Sequence, residues 1–394
     1  MENETLVLDI PYGMRDFLPK EAAGKRAVET ELASLFSAWG YDEVVTPTIE
    51  YLDNLTLGAK DALEPHLFKL FDRNNRTLAL RHEMTTPIAR LAASRLRDYP
   101  MPLKLSYISS VFRYEQAQRG RQCEFHQAGV ELMGSTSTAS DAEIIALAVE
   151  GLRQVGLKDF QVSIGQVDFV SGIMEQYHLD KETKSKLKTA LEVRNLVEAE
   201  QIVDGLAITK QAKTILKRLP LLNGGEEMLR KSYAFALNEQ SRRALDNLGE
   251  IYRLLKAYGI AQYVRFDLGI IRDFGYYTGM VFEIYASGLG FPLAGGGRYD
   301  HLLSDFGNAC PATGVALGIE RVLLALSRQA CVHPVHAEGV YLAYAHGFLD
   351  AAIELAQKLR SEGKTVEIAL SVLDEQSADD LRRQKGYGKF LYLS

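Results

Sequence analysis

Apolar residues near the start of the chain recur at helical spacing, three or four positions apart. We therefore predict an amphipathic helix over residues 21–39 that ends at Gly40. The next stretch, YDEVVTPTIE, predicts a short strand, and Pro47 restricts it to a sheet edge or an interface because proline has no N–H to donate to a ladder. The apolar positions of the helix are Val28, Leu32, Leu35, Phe36 and Trp39.

The pattern beyond residue 100 predicts two strands, at 105–115 and 124–133, which flank a polar loop. Successive side chains of a strand point to opposite faces, so alternate residues of the second strand share a face. One face carries Ala128, Val130 and Leu132, and the other carries Gln127, Gly129 and Glu131. We expect the polar face, with its central glycine, to be the floor of a pocket.

A helix is predicted to cover the apolar face of the second strand. Ser140 and Glu143 match the spacing of a capping box and precede apolar residues at helical spacing. From about 170 to 255 the chain is rich in Leu, Lys, Glu and Ala, which predicts a helical insertion broken near its middle by PLLNGGEE. Strand patterns return from Tyr263, and the segment after His333 alternates strands and helices, which predicts a small α/β unit.

Composition places the chain among globular proteins without a broad nucleic-acid surface. It has 394 residues, 47% of them hydrophobic, and a formal net charge of -6, whereas phosphate backbones are held mainly by Lys and Arg. Cys123, Cys310 and Cys331 lie far apart, which points to reduced thiols in a cytoplasmic protein. The amino terminus has no signal pattern and no apolar run is long enough for a bilayer, so we expect no membrane association.

The candidate chemistry lies in arginines and carboxylates, because neither common nucleotide-binding loop is present. A guanidinium forks onto phosphate or carboxylate, although each arginine is alternatively a surface ion pair. The histidines form no metal-binding motif, so no metal is expected. The candidate arginines are Arg113, Arg121, Arg272 and Arg321.

Glu83 and Thr85 follow an apolar run in LALRHEMTTPIARLA, where a strand end would place them near a cleft. The alternative is a helix start, with Thr85 or Thr86 as the cap and Pro87 in the first turn. Tyr276 and Tyr277 open a later strand pattern, and for them the alternative is an aromatic core.

Four stretches together resemble the class II aminoacyl-tRNA synthetases, specifically histidyl-tRNA synthetase. They are FRYEQAQRGRQCEFHQAGVE, LRHEMT, RDFGYYTGMVFE, and GGRYDHLL with PATGVALGIER. The resemblance implies an α+β fold, an antiparallel sheet flanked by helices, and a homodimer formed through the first helix and the Pro47 strand. It implies a core domain over 1–330, with the insertion at about 170–255, and a truncated α/β unit over 334–394.

The resemblance also implies a pocket for histidine. Glu83 and Gln127 match positions that hold an α-amino group, and Glu131 matches the one that holds an imidazole nitrogen. Free histidine needs an anion for its ammonium group, an arginine for its carboxylate and an acceptor for a ring N–H. Tyr276 and Tyr277 match positions that enclose the ring, and Arg113 and Arg272 lie on the carboxylate and phosphate side. The histidine-binding positions implied are Glu83, Met84, Thr85, Arg113, Gln127, Glu131, Arg272, Tyr276 and Tyr277.

Several positions depart from the synthetase pattern. Cys123 stands where the family carries an arginine, His82 and Ala117 replace prolines, Gly275 replaces an acid, and His301 fills a glycine position where it would crowd the nucleotide cleft. The chain stops on KFLYLS, and acidic residues outnumber basic ones in that last unit, so we expect poor tRNA binding. The basic residues are Lys358, Arg360, Lys364, Arg382, Arg383, Lys385 and Lys389; the acidic ones are Glu338, Asp350, Glu354, Glu362, Glu367, Asp374, Glu375, Asp379 and Asp380.

With these departures the chain is similar to the ATP phosphoribosyltransferase regulatory subunits, a family of synthetase paralogues. That resemblance implies a non-catalytic, cofactor-free chain that binds L-histidine and forms a homodimer within a hetero-oligomer with the short-form catalytic subunit. It would be required for that subunit's activity in the first step of histidine biosynthesis and for feedback by histidine. One alternative is a histidine–tRNA ligase, with Arg113 and Arg321 on ATP and Arg272 assisting attack by the carboxylate. Another is a stand-alone amino-acid ligase or sensor.

Overall fold

The computed structural model describes residues 8–57, 63–114, 122–192, 194–270, 277–307, 309–330 and 339–394. The chain divides into two compact units. One consists of Met1–Asp16 and Lys25–Cys331, and the other of Phe17–Gly24 and Val332–Ser394.

The helices before residue 331 belong to the larger unit, except that the first of them begins in the Phe17–Gly24 segment of the smaller one. They are α1 (Pro19–Ala38), α2 (Leu52–Leu55), α3 (Thr85–Ser94), α4 (Thr138–Gln154), α5 (Val167–Gln176), α6 (Lys181–Glu192), α7 (Leu196–Asp204), α8 (Lys210–Arg218), α9 (Glu226–Ser232), α10 (Glu239–Ala257) and α11 (Ile319–Arg328). The strands of this unit are β1 (Asp42–Glu43), β2 (Ile49–Tyr51), β3 (Lys69–Phe71), β4 (Thr77–Leu80), β5 (Leu103–Phe112), β6 (Glu124–Met133), β7 (Phe160–Gln166), β8 (Asn223–Gly224), β9 (Val264–Asp267), β10 (Met280–Ala286), β11 (Ala294–Arg298) and β12 (Ala312–Gly318).

A nine-stranded sheet forms the centre of this unit, in the order β1-β5-β6-β12-β11-β10-β7-β9-β8. Neighbours pair antiparallel except β1 with β5 and β7 with β9. A second sheet, β2-β4-β3, is antiparallel throughout. The predicted α+β class and its mainly antiparallel sheet are confirmed.

The predicted faces of β6 are also confirmed. Ala128, Val130 and Leu132 are buried in one apolar cluster with residues of α1 and α4, because alternate positions of the strand point toward those helices. The capping-box prediction is wrong by three residues. Ser137 caps α4 by accepting from the Ala139 amide at 3.2 Å, while Ser140 lies inside the first turn.

The stretch around Pro47 differs from its prediction. It forms two short strands in different sheets, β1 and β2, with Pro47 between them. Pro47 lies outside both ladders, where its missing N–H leaves no ladder bond unmade, and one continuous strand does not form. The preceding helix α1 agrees with its prediction, and its last turn is followed by Gly40 at φ +79°.

The insertion is helical as predicted. It runs through α5 to α10, and the PLLNGGEE break holds a 3-10 turn and the two-residue strand β8. The predicted strand at 105–115 ends earlier, at Phe112, and Glu115 lies outside the described residues.

The smaller unit contains a three-stranded parallel sheet with its own apolar cluster. Its strands have the order β14-β13-β15, and α12 and α13 follow β13 and β14 in the chain. These elements match the predicted pattern. They are β13 (Val340–Tyr344), α12 (Leu349–Ser361), β14 (Val366–Ile368), α13 (Glu375–Lys385) and β15 (Lys389–Leu393). In the part of the chain that the structure describes, no helix combines the length and apolar character needed to span a membrane.

Candidate functional site

A cleft opens on the polar face of β6 and its neighbour β12. The empty space within it is about 710 Å³ when the open solvent at its mouth is included. The predicted residues that line it are Glu83, Thr85, Arg113, Gln127, Glu131 and Tyr277. Met84 is fully buried in an apolar cluster with Ile88 and Tyr107 instead. Arg272 and Tyr276, and also Arg121, lie outside the described residues.

Glu131 is a buried carboxyl with a hydroxyl donor on each oxygen. It is 1% exposed, Thr85 donates its hydroxyl to Oε1 at 2.8 Å, and the Tyr299 hydroxyl donates to Oε2. Burial raises the pKa of Glu131 to about 8, the two hydroxyl donors oppose that shift, and the charge of Glu83 adds to it. Both hydroxyls point at an acceptor, so a further N–H donor from a ligand would suit the same carboxylate.

Glu83 is the anion at the start of α3. Its Oε2 accepts from the Thr85 amide at 2.6 Å and its Oε1 from the Thr86 amide at 2.8 Å. These amides have no partner within the helix, and the helix dipole favours a negative charge there. The expectation that Thr85 or Thr86 would cap this helix is therefore wrong, because the Glu83 side chain performs that role. Glu83 therefore lines the cleft and also accepts from the first amides of α3, so the two interpretations of this segment are compatible.

Two arginines line the same cleft. The Arg113 guanidinium donates from Nε to the His82 carbonyl at 2.9 Å and lies 5.2 Å above the Phe125 ring centroid. Arg321 donates to the Pro292 carbonyl at 2.8 Å. Two carboxyl groups and two guanidinium groups line one small space, and Glu83 together with the arginines suits a ligand that carries both signs of charge.

The chain is similar to known proteins of two names, histidyl-tRNA synthetase and ATP phosphoribosyltransferase regulatory subunit. A family model described as "Histidyl-tRNA synthetase" matches residues 13–322. A protein of Moorella thermoacetica named "ATP phosphoribosyltransferase regulatory subunit" is 45% identical over 94% of this chain and 93% of its own length. One of the same name from Desulforamulus reducens is 41% identical over 96% and 94%. The chain belongs to the ATP phosphoribosyltransferase regulatory subunit family.

A solved structure supports this membership and the fold. It is described as "an ATP phosphoribosyltransferase regulatory subunit/histidyl-tRNA synthetase from Bacillus halodurans C". The two structures agree with a TM-score of 0.88 at 34% identity, over 99% of this chain and 100% of that one. The predicted resemblance to synthetase-like chains is confirmed.

Tyr107 and Tyr299 are cleft residues that the sequence reasoning missed. Tyr107 is 1% exposed, and its hydroxyl has no hydrogen-bond partner among the described residues. It lies opposite Gly129 in the β5–β6 register, where a Cβ would overlap the tyrosine hydroxyl. Alternation gave no signal for Tyr107, because Leu105 and Val111 share its parity in β5 and indicate an apolar core position.

The departures from the synthetase pattern have different outcomes in this regulatory subunit family member. Cys123 is fully buried, its amide donates to the Gly13 carbonyl at 2.7 Å, and its Sγ fills the space above Gly13. The position expected to carry an arginine therefore holds a neutral group without solvent access. His301 is exposed and does not line the cleft, so the expected crowding is wrong. Ala117 and Gly275 lie outside the described residues.

We predict that His82 makes the fold less stable in acid. It is 4% exposed, its Nδ1 lacks a partner within the described ranges, and burial lowers its pKa to about 4, with Arg113 and His66 acting in the same direction and Glu83 against it. The unfolded histidine titrates near 6.5, so the unfolded state binds more protons as the pH falls. The free energy of unfolding should fall by about 2–3 kcal/mol between about pH 6.5 and 4 from this residue.

Urea unfolding at pH 7 and pH 4.5 measures this loss. We expect His82→Gln to lose about 2–3 kcal/mol less than the unmodified chain on acidification, whatever its stability at pH 7. The exposed His301 provides a matched control, since His301→Gln should follow the unmodified chain at both pH values. Equal acid losses in the unmodified chain and His82→Gln would contradict the prediction.

Proposed function

We propose that this chain is a non-catalytic regulatory subunit required by the short-form ATP phosphoribosyltransferase catalytic subunit, in the first step of histidine biosynthesis in the cytoplasm. Its cleft binds free L-histidine as the feedback ligand. The observation that carries the proposal is one cleft that combines a buried carboxyl group, Glu131, with an anion at a helix start, Glu83, and an arginine, Arg113. Family membership adds the regulatory role named for its relatives.

Histidine satisfies these groups one by one. Its ammonium group suits Glu83, its carboxylate suits Arg113, and a ring N–H suits Glu131, which within the described ranges accepts from the hydroxyls of Thr85 and Tyr299. Gln127 Oε1 has no partner among the described residues, so it is available to the ammonium group. Arg272 and Tyr276 remain predicted members of the same site.

Feedback requires that histidine bind more tightly to the arrangement that restrains the catalytic partner. A difference of about 1–3 kcal/mol shifts the equilibrium between the two arrangements about 5-fold to 150-fold. We propose that this chain acts as a homodimer inside the hetero-oligomer, with all catalysis on the partner.

A histidine–tRNA ligase is the second candidate. Arg113 and Arg321 line one cleft, as ATP activation would require, and the description of the similar Bacillus structure includes the synthetase name. The buried, neutral Cys123 disfavours it, because a phosphate partner expected at that position is missing.

Co-expression with a short-form catalytic subunit tests the proposal. We expect that subunit to be inert alone, to form phosphoribosyl-ATP when this chain is added, and to be inhibited by histidine in the complex. Assays of histidine-dependent ATP–pyrophosphate exchange and of tRNA charging by this chain provide the other arm. Efficient charging, or a catalytic subunit that is equally active without this chain, would overturn the proposal.

A further inference from the structure

Arg81 is a buried arginine whose guanidinium is bonded to main-chain carbonyls. It is 5% exposed, and it donates to the carbonyls of Ser110 at 2.9 Å, Thr46 at 2.8 Å and Pro47 at 3.3 Å. Burial lowers the pKa of Arg81, and the charge of Glu50 opposes the shift. Because only a planar fork reaches several carbonyls at once, the side chain fixes the end of β5 relative to the connection between β1 and β2.

The main chain of Arg81 adds two bonds to the same neighbours. Its amide donates to the Thr48 carbonyl at 3.0 Å, and its carbonyl accepts from the Phe112 amide at 2.9 Å. The next residue, His82, accepts from Arg113 Nε at 2.9 Å, and Glu83 follows as the cap of α3. Glu83 is therefore two residues after Arg81 in the chain, and Arg113 is hydrogen-bonded to His82, the residue between them. Glu83 and Arg113 are the groups proposed to hold the ammonium and carboxylate groups of the ligand.

We propose that Arg81 is a positioning residue for this polar end of the cleft, where it aims Glu83 and Arg113 at the ammonium and carboxylate groups of one amino acid. The inference rests on the proposed histidine site. The other end of the cleft depends less on Arg81, because the register of β6, β12 and β11 places Glu131 and Tyr299, and the Thr85 hydroxyl links Glu131 to the start of α3. Arg81 thus sets mainly the affinity for the amino-acid part of the ligand and affects the ring end less.

Comparing the binding of L-histidine with that of imidazole distinguishes a positioning role of Arg81 from a general role in packing. Arg81→Lys keeps the charge but loses the fork, so we expect L-histidine to bind at least tenfold more weakly by calorimetry. Imidazole, which has the ring alone, should change less than twofold in a titration followed by nuclear magnetic resonance. Arg90→Lys is the control, since Arg90 forks onto the Glu50 carboxylate and does not line the cleft. Equal losses for both ligands, or no loss for histidine, would overturn the inference.

Amide hydrogen exchange gives a readout that does not depend on the variant folding. In the unmodified chain, histidine should slow exchange at the Arg81 and Phe112 amides, whose bonds join the segment to the strand end. Unchanged exchange at both amides in a histidine-saturated chain would refute the positioning role. A chain that binds no histidine at all would instead refute the proposed function. In that case faster exchange at Phe112 in ligand-free Arg81→Lys still tests the positioning role, and an unchanged rate would reject it.

Discussion

Glu131→Gln is expected to weaken histidine binding at least a hundredfold and to abolish feedback, while activation of the catalytic partner persists. A hundredfold corresponds to about 2.7 kcal/mol, within the range for a lost buried hydrogen bond combined with a newly unpaired donor. Glutamine presents an NH2 group at one of the two oxygen positions to which Thr85 and Tyr299 donate, so a donor would be forced against a donor. Calorimetry with L-histidine and the inhibition assay on the complex measure the two effects.

The same variant has a second signature, in stability. The folded-state pKa of Glu131 is raised to about 8, from 4.5, so its contribution is fully present below about pH 4.5 and is lost as the pH rises through about 8. Between pH 5 and pH 9, without histidine, the unmodified chain should therefore lose about 3–5 kcal/mol that Glu131→Gln keeps.

Glu124→Gln is the control for both measurements, because Glu124 begins the same strand and does not line the cleft. It should bind histidine and respond to pH as the unmodified chain does. If Glu131→Gln binds histidine with unchanged affinity, the assignment of the ring-binding carboxylate is wrong.

Gly314→Ala is expected to destabilise the fold by at least about 2 kcal/mol and to eliminate histidine binding. Gly314 lies opposite Glu131 in the β6–β12 register, and a Cβ there would overlap Glu131 Oε2 and lie 2.7 Å from the Val130 carbonyl oxygen. Because β12 lies between β6 and β11, backbone shifts that relieve the overlap disturb two ladders. Urea unfolding and calorimetry measure the two losses.

Gly249→Ala is the matched control for this overlap. Gly249 is inside α10 and nothing lies within 4 Å of a Cβ built there. Alanine should raise the free energy of unfolding by about 0.5–1 kcal/mol, since glycine is unfavourable in a helix interior. A Gly314→Ala chain that matches the unmodified one in stability and in histidine affinity would show that the cleft tolerates a methyl group beside Glu131.

Local periodicity determined much of this fold. The stripe of α1, the two faces of β6 and the helical insertion all follow from spacing within one segment, because side-chain direction repeats with the backbone period. The same alternation placed Gln127 and Glu131 on one polar face, which the structure confirms as part of the cleft.

Tertiary structure alone decided how Glu131 is surrounded. Its partner Tyr299 is 168 positions away in the chain, and Tyr107 and Gly314 reach it only through the registers of β5 and β12 with β6. No spacing rule in a single segment encodes such pairings, because register between distant strands depends on the packing of the whole sheet. The sequence thus determined that Gln127 and Glu131 share one polar face, whereas the assembled sheet decided which other groups surround the carboxyl, how deeply it is buried and in which direction its pKa shifts.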